Sequence, residues 1–469
     1  LGAYLNANAN LPNTIYTSAN NMNLSSLSHR LVTFLFLLVL SVFSNTSVAA
    51  TTNGAPVFTA ATIDFTSIDI ANDASGATSV FAIDVDGDGD MDVLSSIFYD
   101  DTIAWYENDG NVGTPGFTKR VITSDADGPY SVFAIDVDGD GDIDVLSASA
   151  NDDTIAWYEN NGDGDNPGFT KRVITSDADI ARSVFAIDVD GDGDMDVLSA
   201  SFNDDTISWY ENDGAVGTPG FTKRVITNGA DGAWSVFAID VDGDGDIDVL
   251  SASIEDDTIA WYENDGNVGN PSFTKNIIAS DADAAISVFA IDVDGDGDID
   301  VVSASYSNDT IAWYENDGNA VTPGFTKRVI SSDADGAYSV FAIDVDGDGD
   351  MDVLSAGAED DTIAWYENDG NVGDPGFTQR VITTVADGVR MVLAIDVDDD
   401  GDMDVLSASL NDNTIAWYKN EGRFNFNVAE NTSPVATVLA TDADGDSLSY
   451  TKQVALTLHC LRLTRLPVN

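Results

Sequence analysis

The chain has 469 residues, 82 of them acidic and 18 basic, for a formal net charge of −64. That balance excludes a surface that grips nucleic-acid phosphates, which needs clustered Lys and Arg. A single cysteine, Cys460, excludes an intrachain disulfide, and the two histidines, His29 and His459, lie outside the repeated region, which removes Ser-His-Asp, Cys-His and histidine-ligated zinc chemistry.

Residues are 43% apolar and 9% aromatic, enough to bury a core, so the acidity has to be organised where divalent cations neutralise it. Residues 1–50 read as upstream sequence plus a secretory signal. Met22 is the expected start, His29 and Arg30 form a charged flank, Leu31 to Phe43 is an apolar run too short to span a bilayer, and Val48-Ala49-Ala50 is a small-residue cleavage site. The mature chain is then expected outside the cytoplasm, secreted or at a cell surface, with residues 51–64 as a leader and no membrane span.

From residue 65 to 420 the sequence repeats with a period of 52. Tryptophans mark the step at Trp105, Trp157, Trp209, Trp261, Trp313, Trp365 and Trp417. In the second copy, Ser131 to Val137, Ile143 to Ala150, Thr154 to Asn160 and Phe169 to Thr175 are short β-rich runs separated by Asp, Gly, Asn and Pro. Four strands per copy, seven copies and no helical period predict an all-β fold, a seven-bladed β-propeller with the SVFAIDV strand innermost. Ten basic residues fall in the fourth strand, where a free edge needs charge against aggregation. Phe65 to Ile70 stands in the fourth-strand register ahead of the first full copy, while the last copy runs out after Tyr418. The prediction is that Phe65 to Ile70 completes the final blade. An open array of independent modules is the alternative architecture.

Each copy carries an acidic nonapeptide between its first two strands. The aspartates are Asp84, Asp86, Asp88, Asp90 and Asp92 in the first copy and Asp136, Asp138, Asp140, Asp142 and Asp144 in the second. They are Asp188, Asp190, Asp192, Asp194 and Asp196 in the third, and Asp240, Asp242, Asp244, Asp246 and Asp248 in the fourth. The fifth has Asp292, Asp294, Asp296, Asp298 and Asp300, the sixth Asp344, Asp346, Asp348, Asp350 and Asp352, and the seventh Asp396, Asp398, Asp400, Asp402 and Asp404. Five carboxylates on nine residues repel by about 1 kcal/mol per pair at ~4 Å even in water, so a compact turn is expected to need a cation. Oxygen ligands at alternate positions, with Gly89 for the sharp turn, favour calcium, with magnesium second. Side-chain ligation is expected from the first, second, third and fifth aspartate and a carbonyl at the fourth, giving about seven structural ions held at ~10⁻⁴ to 10⁻³ M. In the seventh copy Asp399 replaces the glycine found at Gly87, and Gly401 keeps the turn position.

The DxDxDGDxD motif and its repeat resemble the FG-GAP/VCBS family, whose repeats build integrin α-subunit propellers and many bacterial surface proteins. The resemblance implies a seven-bladed propeller with calcium between the first and second strands. Integrin-type Phe-Gly and Gly-Ala-Pro signatures are not evident, so integrin-like ligand recognition is not implied. After a linker at 421–429, residues 430–469 resemble the opening of a cadherin-like domain, with Glu430, Asp442 and Asp444 matching its acidic motifs. The text changes character after Tyr450, as a frameshift or a truncated gene fragment would produce.

Two positions vary most between copies. One precedes the first strand (Thr78, Tyr130, Arg182, Trp234, Ile286, Tyr338, Arg390) and the other follows the second (Phe98, Ala150, Phe202, Ile254, Tyr306, Ala358, Leu410). Strand alternation places both on the face opposite the acidic turns. Tyr130, Arg182, Trp234, Tyr338 and Arg390 are thus a candidate ligand face, rich in residue types found at binding hot spots, although neutral drift in exposed loops would give the same variation. The function these features favour is a monomeric, calcium-binding surface protein for adhesion or recognition of an extracellular glycan or protein. A polysaccharide lyase or hydrolase on a propeller scaffold and a passive spacer are the alternatives. Catalysis needs a unique constellation, and here every carboxylate cluster recurs seven times.

Overall fold

The computed structural model of the chain describes residues 63–422 except 165 and 321, together with two short strands, Asn425–Phe426 and Leu461–Arg462, that pair antiparallel. The expected export signal, the leader up to residue 62 and, apart from Leu461–Arg462, the cadherin-like segment 430–469 lie outside the described residues.

Seven four-stranded antiparallel sheets form the blades of a β-propeller. After β1 (Phe65–Ala71), the first blade runs from β2 (Ala77–Ile83) through β3 (Asp92–Ile97) and β4 (Thr102–Asn108) to β5 (Phe117–Thr123), and the pattern then repeats. Among the described residues the only helical element is a single 3-10 turn, Phe98–Asp100.

The repeat sequence explains why blades stack. All six residues of β3 are buried, because a middle strand meets a neighbouring blade on each face, and both of its faces are apolar or small. In β4 the Trp-Tyr dipeptide uses the two-residue period of a strand to serve both neighbours. Trp105 shares a buried cluster with Tyr158 of the next blade, Trp157 with Tyr210, and Trp417 of the last blade with Tyr106 of the first. Each such ring is almost fully buried, a gain of about 1.5–3 kcal/mol per side chain.

The innermost strands line the axis. Phe81, Phe133, Phe185, Phe237, Phe289 and Phe341 follow one another with ring centroids 4.8–5.1 Å apart in a tilted array. Hydrogen bonds join neighbouring inner strands as well, for example from the Val132 N–H to Ser79 Oγ at 3.3 Å.

β1 closes the ring as predicted. It pairs antiparallel with Thr414–Asn420, from Phe65 opposite Asn420 to Ala71 opposite Ile415, and so becomes the outer strand of the seventh blade. The outer-strand basic residues do more than protect an edge. Arg120 donates through Nε to Glu107 Oε2 at 2.6 Å and lies over the Trp105 ring, and Arg172, Arg224, Arg328 and Arg380 pair with the equivalent glutamates. Partly exposed as they are, such pairs contribute roughly 0.2–1 kcal/mol each.

Candidate metal centre

Each acidic turn joins the first strand of a blade to the second, and its last aspartate is the first residue of the second strand, as Asp92 is of β3. The first aspartate templates the turn. Asp84 Oδ1 accepts from the Gly87 N–H at 2.8 Å and its Oδ2 from the Gly89 N–H at 3.0 Å. Gly89 has φ +101° and Gly141 φ +104°, conformations that cost a side-chain-bearing residue dearly. At the position of Gly87 (φ +77°) the seventh turn has Asp399 at φ +54°, a left-handed conformation that aspartate tolerates.

The last aspartate is held from two sides. Asp92 Oδ2 accepts from the Val85 N–H at 3.0 Å and Oδ1 from the Asn108 N–H at 2.8 Å. These bonds give the turn a scaffold of backbone amides, its own and that of the third strand's end, so its compact shape is not the work of an ion alone.

The geometry then converges carboxylate oxygens from the first, second and fifth aspartates. Asp84, Asp86 and Asp92 place one oxygen each within 4.8 Å of one another, and so do Asp136, Asp138 and Asp144; among the described residues there are seven such groups. The Asp88 and Asp90 carboxylates, of which a side-chain ligand was expected only from Asp88, are not in the first group. Asp88 Oδ1 instead accepts from the Asp90 N–H at 3.0 Å, and the Asp90 carboxylate packs against Gly110, where a Cβ would collide with it.

Burial and crowding at the cluster disfavour the charged carboxylates. Burial pushes the carboxyl of Asp92 up to about 7, with Asp86 and Asp88 adding repulsion, and burial pushes Asp144 up to about 8. Burial first, then the neighbouring Asp140, raises Asp138 to about 6. Asp138, Asp190 and Asp294 are each only 4% exposed, yet the Oδ2 of each has no hydrogen-bond partner. A buried carboxylate oxygen without a donor is costly. The donor set is entirely hard oxygen, so these residues fit a calcium or magnesium ion.

The following blade supplies the burial. The Gly217 N–H donates to the Asp138 carbonyl, Gly269 to Asp190, Gly373 to Asp294 and Gly113 to Asp398, at 3.0–3.2 Å. Val216 lies over Gly139 in the same way as Val268 over Gly191 and Val372 over Gly295. Asp86 and Asp346 are only partly buried. The blade after Asp86 has Asn161 to Gly168 without the Val-Gly pair, and the blade after Asp346 takes its outer strand from β1.

One residue set escaped the sequence reading. Asn108, Asn160, Asn212, Asn264, Asn316, Asn368 and Asn420 each end a third strand. Asn160 donates from Nδ2 to the Ile143 carbonyl of its own turn at 3.0 Å and to the Val85 carbonyl of the preceding blade at 3.2 Å. Its signal was present: an asparagine sixteen residues after the last aspartate of every turn.

Across the ring, at the opposite strand ends, the candidate ligand face forms a self-packed cluster around the axis. The Tyr130 and Tyr338 hydroxyls are hydrogen-bonded to each other. The Arg182 guanidinium lies between the Tyr130 and Trp234 rings, 4.4 and 4.5 Å from their centroids, and Arg390 lies 4.3 Å from that of Tyr338. Phe98, Phe202 and Tyr306 from the second variable position extend the cluster edge-on.

The family model for the FG-GAP-like repeat matches residues 84–147, 136–199, 188–251, 240–303, 292–355, 344–407 and 396–449. The chain belongs to the FG-GAP-like repeat family. Each match starts at the first aspartate of an acidic turn, so the FG-GAP-like unit spans from one turn into the next blade. Among solved structures the propeller is similar to BBS1N, in a crystal of its complex with ARL6DN soaked with lead, with a TM-score of 0.51 at 11% identity, covering 76% of this chain and 96% of that one. It is also similar to a protein from Lactobacillus plantarum, with a TM-score of 0.46 at 16% identity, covering 66% of this chain and 85% of that one. At 11% identity the first likeness concerns the fold alone. No curated protein matches the sequence. Among the described residues no helix is long and apolar enough to cross a membrane.

Proposed function

We propose that this FG-GAP-like propeller is an exported, calcium-stabilised surface protein acting in adhesion or in recognition of a glycan or protein. The observation that carries the calcium part is the donor-less buried Oδ2 of Asp138, Asp190 and Asp294, each in a triad of converging carboxylates. The first, second and fifth aspartates of a turn would hold its ion. Because the next blade covers the second aspartate, an ion there stiffens the joint between blades. An ion at hundredfold excess over its dissociation constant stabilises by roughly 2.7 kcal/mol per site through mass action. Thermal unfolding with calcium and with chelator tests this: a large drop in midpoint on chelation is expected, and coincident curves remove the claim.

Recognition is supported by the axial cluster on the other face. It gathers two arginines of a chain that has only 18 basic residues, together with Tyr130, Trp234 and Tyr338. The Arg182 Nε is buried without a hydrogen-bond partner. Seven-fold recurrence of the converging aspartate groups supports a non-catalytic role. Glycan and cell-binding arrays, run with and without calcium on wild type and on Trp234→Ala, test this part. Binding lost in Trp234→Ala supports it, whereas wild type that binds nothing favours a passive spacer. Depolymerisation of a polysaccharide in the same incubations would make the protein an enzyme.

A further inference from the structure

The seventh acidic turn differs from the other six in what stands beside it. In the first six blades the residue before the recurring asparagine is a glutamate: Glu107, Glu159, Glu211, Glu263, Glu315 and Glu367. Five of the six pair with an arginine of the outer strand, and Glu263 meets Asn276. The seventh blade borrows β1 as its outer strand, and the residue opposite Trp417 there is Ile68, where the first blade has Arg120 opposite Trp105. No arginine is present to receive a glutamate, and the glutamate position is Lys419.

Lys419 turns toward the acidic turn. Its Nζ donates to Asp398 Oδ2, to Asp400 Oδ2 at 3.0 Å, and to the carbonyl of Gly113 at 3.2 Å. Gly113 belongs to the loop of the first blade that covers Asp398, through its own N–H to the Asp398 carbonyl. The ammonium is largely enclosed, its side chain 13% exposed, and the Asp398 side chain is fully buried against it. In the second, third and fifth blades the equivalent Oδ2 of Asp138, Asp190 and Asp294 has no donor. At the seam between last and first blades, Lys419 supplies one to Asp398 Oδ2, and the oxygen left without a donor there is Oδ1.

We propose that Lys419 acts as a built-in cation of the seventh turn, taking the place of a metal ion, so that the ring binds six ions and its closing joint is held without one. The inference rests on the proposed metal binding at the other turns. Asp399 adds a sixth carboxylate to that turn alone, which the fixed ammonium offsets at any metal concentration. The consequence is a ring whose six interior joints respond to calcium while the seam does not.

Equilibrium dialysis of the full chain against radioactive calcium, after removal of bound metal, counts the sites. Wild type is expected to saturate at six ions and Lys419→Glu, which restores the residue of the other blades, at seven. Lys419→Gln removes the charge without adding one and is also expected to reach seven, which keeps the test open if the glutamate variant misfolds. Seven ions on wild type overturn the proposal and leave the metal reading intact. No bound calcium overturns both. Six ions on wild type and on a folded variant show that the lysine is not what closes the site, and overturn the proposal as well.

Discussion

Asn160 reaches out of its own blade to Val85 of the one before it, donating its side-chain amide to the Val85 carbonyl at 3.2 Å. The same residue donates its backbone N–H to Asp144 Oδ1 at 2.8 Å. One asparagine thus fixes a candidate metal ligand and joins two blades.

Asn160→Ala leaves the Val85 and Ile143 carbonyls without their side-chain donor in a buried place. The expected loss is about 1–3 kcal/mol of unfolding free energy, measured by denaturant titration at fixed calcium. Asn160→Asp is expected to cost more, since it sets a carboxylate against two carbonyls. A change within about 0.5 kcal/mol for the alanine variant, the range of ordinary surface substitutions, would count against the role assigned to the residue.

The glycines of the turn are separable by backbone alone. A Cβ at Gly139 would meet only Val216 Cγ2, at 3.8 Å, and one at Gly141 would meet nothing within 4 Å, so packing does not decide either case. Gly141 at φ +104° lies where residues other than glycine are strained, and Gly141→Ala should cost about 1–3 kcal/mol. Gly139→Asp at φ +72° should cost clearly less, because the seventh turn already carries Asp399 there. Equal losses in the two variants, by the same titration, would mean the backbone argument is wrong.

Acidity should act in opposite directions with and without metal. In chelated protein the folded chain holds protons on Asp92, Asp196, Asp248 and Asp404 up to about pH 7, and on Asp144, Asp300 and Asp352 up to about pH 8. The unfolded chain has lost them near pH 4. The unfolded state therefore binds fewer protons across that window, and stability must fall as pH rises from about 5 to 8. Saturating calcium should flatten or invert the slope, since the ion needs the deprotonated form. Urea midpoints at pH 5 and pH 8, each with calcium and with chelator, give the four values required. A rise in midpoint with pH in the chelated pair would contradict the burial of these carboxyls.

Much of this was legible in the sequence because the repeat compares itself. Blade number, strand order, the place of the acidic turns and closure by Phe65–Ala71 all follow from a 52-residue step and a count of apolar runs. What stayed hidden depended on neighbours far apart in the chain. Asn160 reads as an ordinary strand end until Val85 is placed beside it, and Lys419 reads as one stray base until ring closure brings the Gly113 loop over Asp398. Arg120 reads as an edge charge until Glu107 is seen across the sheet. Alternation alone does not tell where the Asp90 carboxylate goes, and it packs against Gly110.

The pairing of β1 with Thr414–Asn420 also sets a timetable. Thr66 and Glu421, hydrogen-bonded across that join, are 355 positions apart, and the earlier of the two is made before any complete blade exists. At a synthesis rate of roughly 5–20 residues per second, β1 waits on the order of 20–70 s for its partner. Until then the growing arc carries a sticky strand at its leading end, and any second arc nearby could offer the same complement. A folding helper that shields Phe65–Ala71 during those seconds would favour rings over chains of swapped arcs.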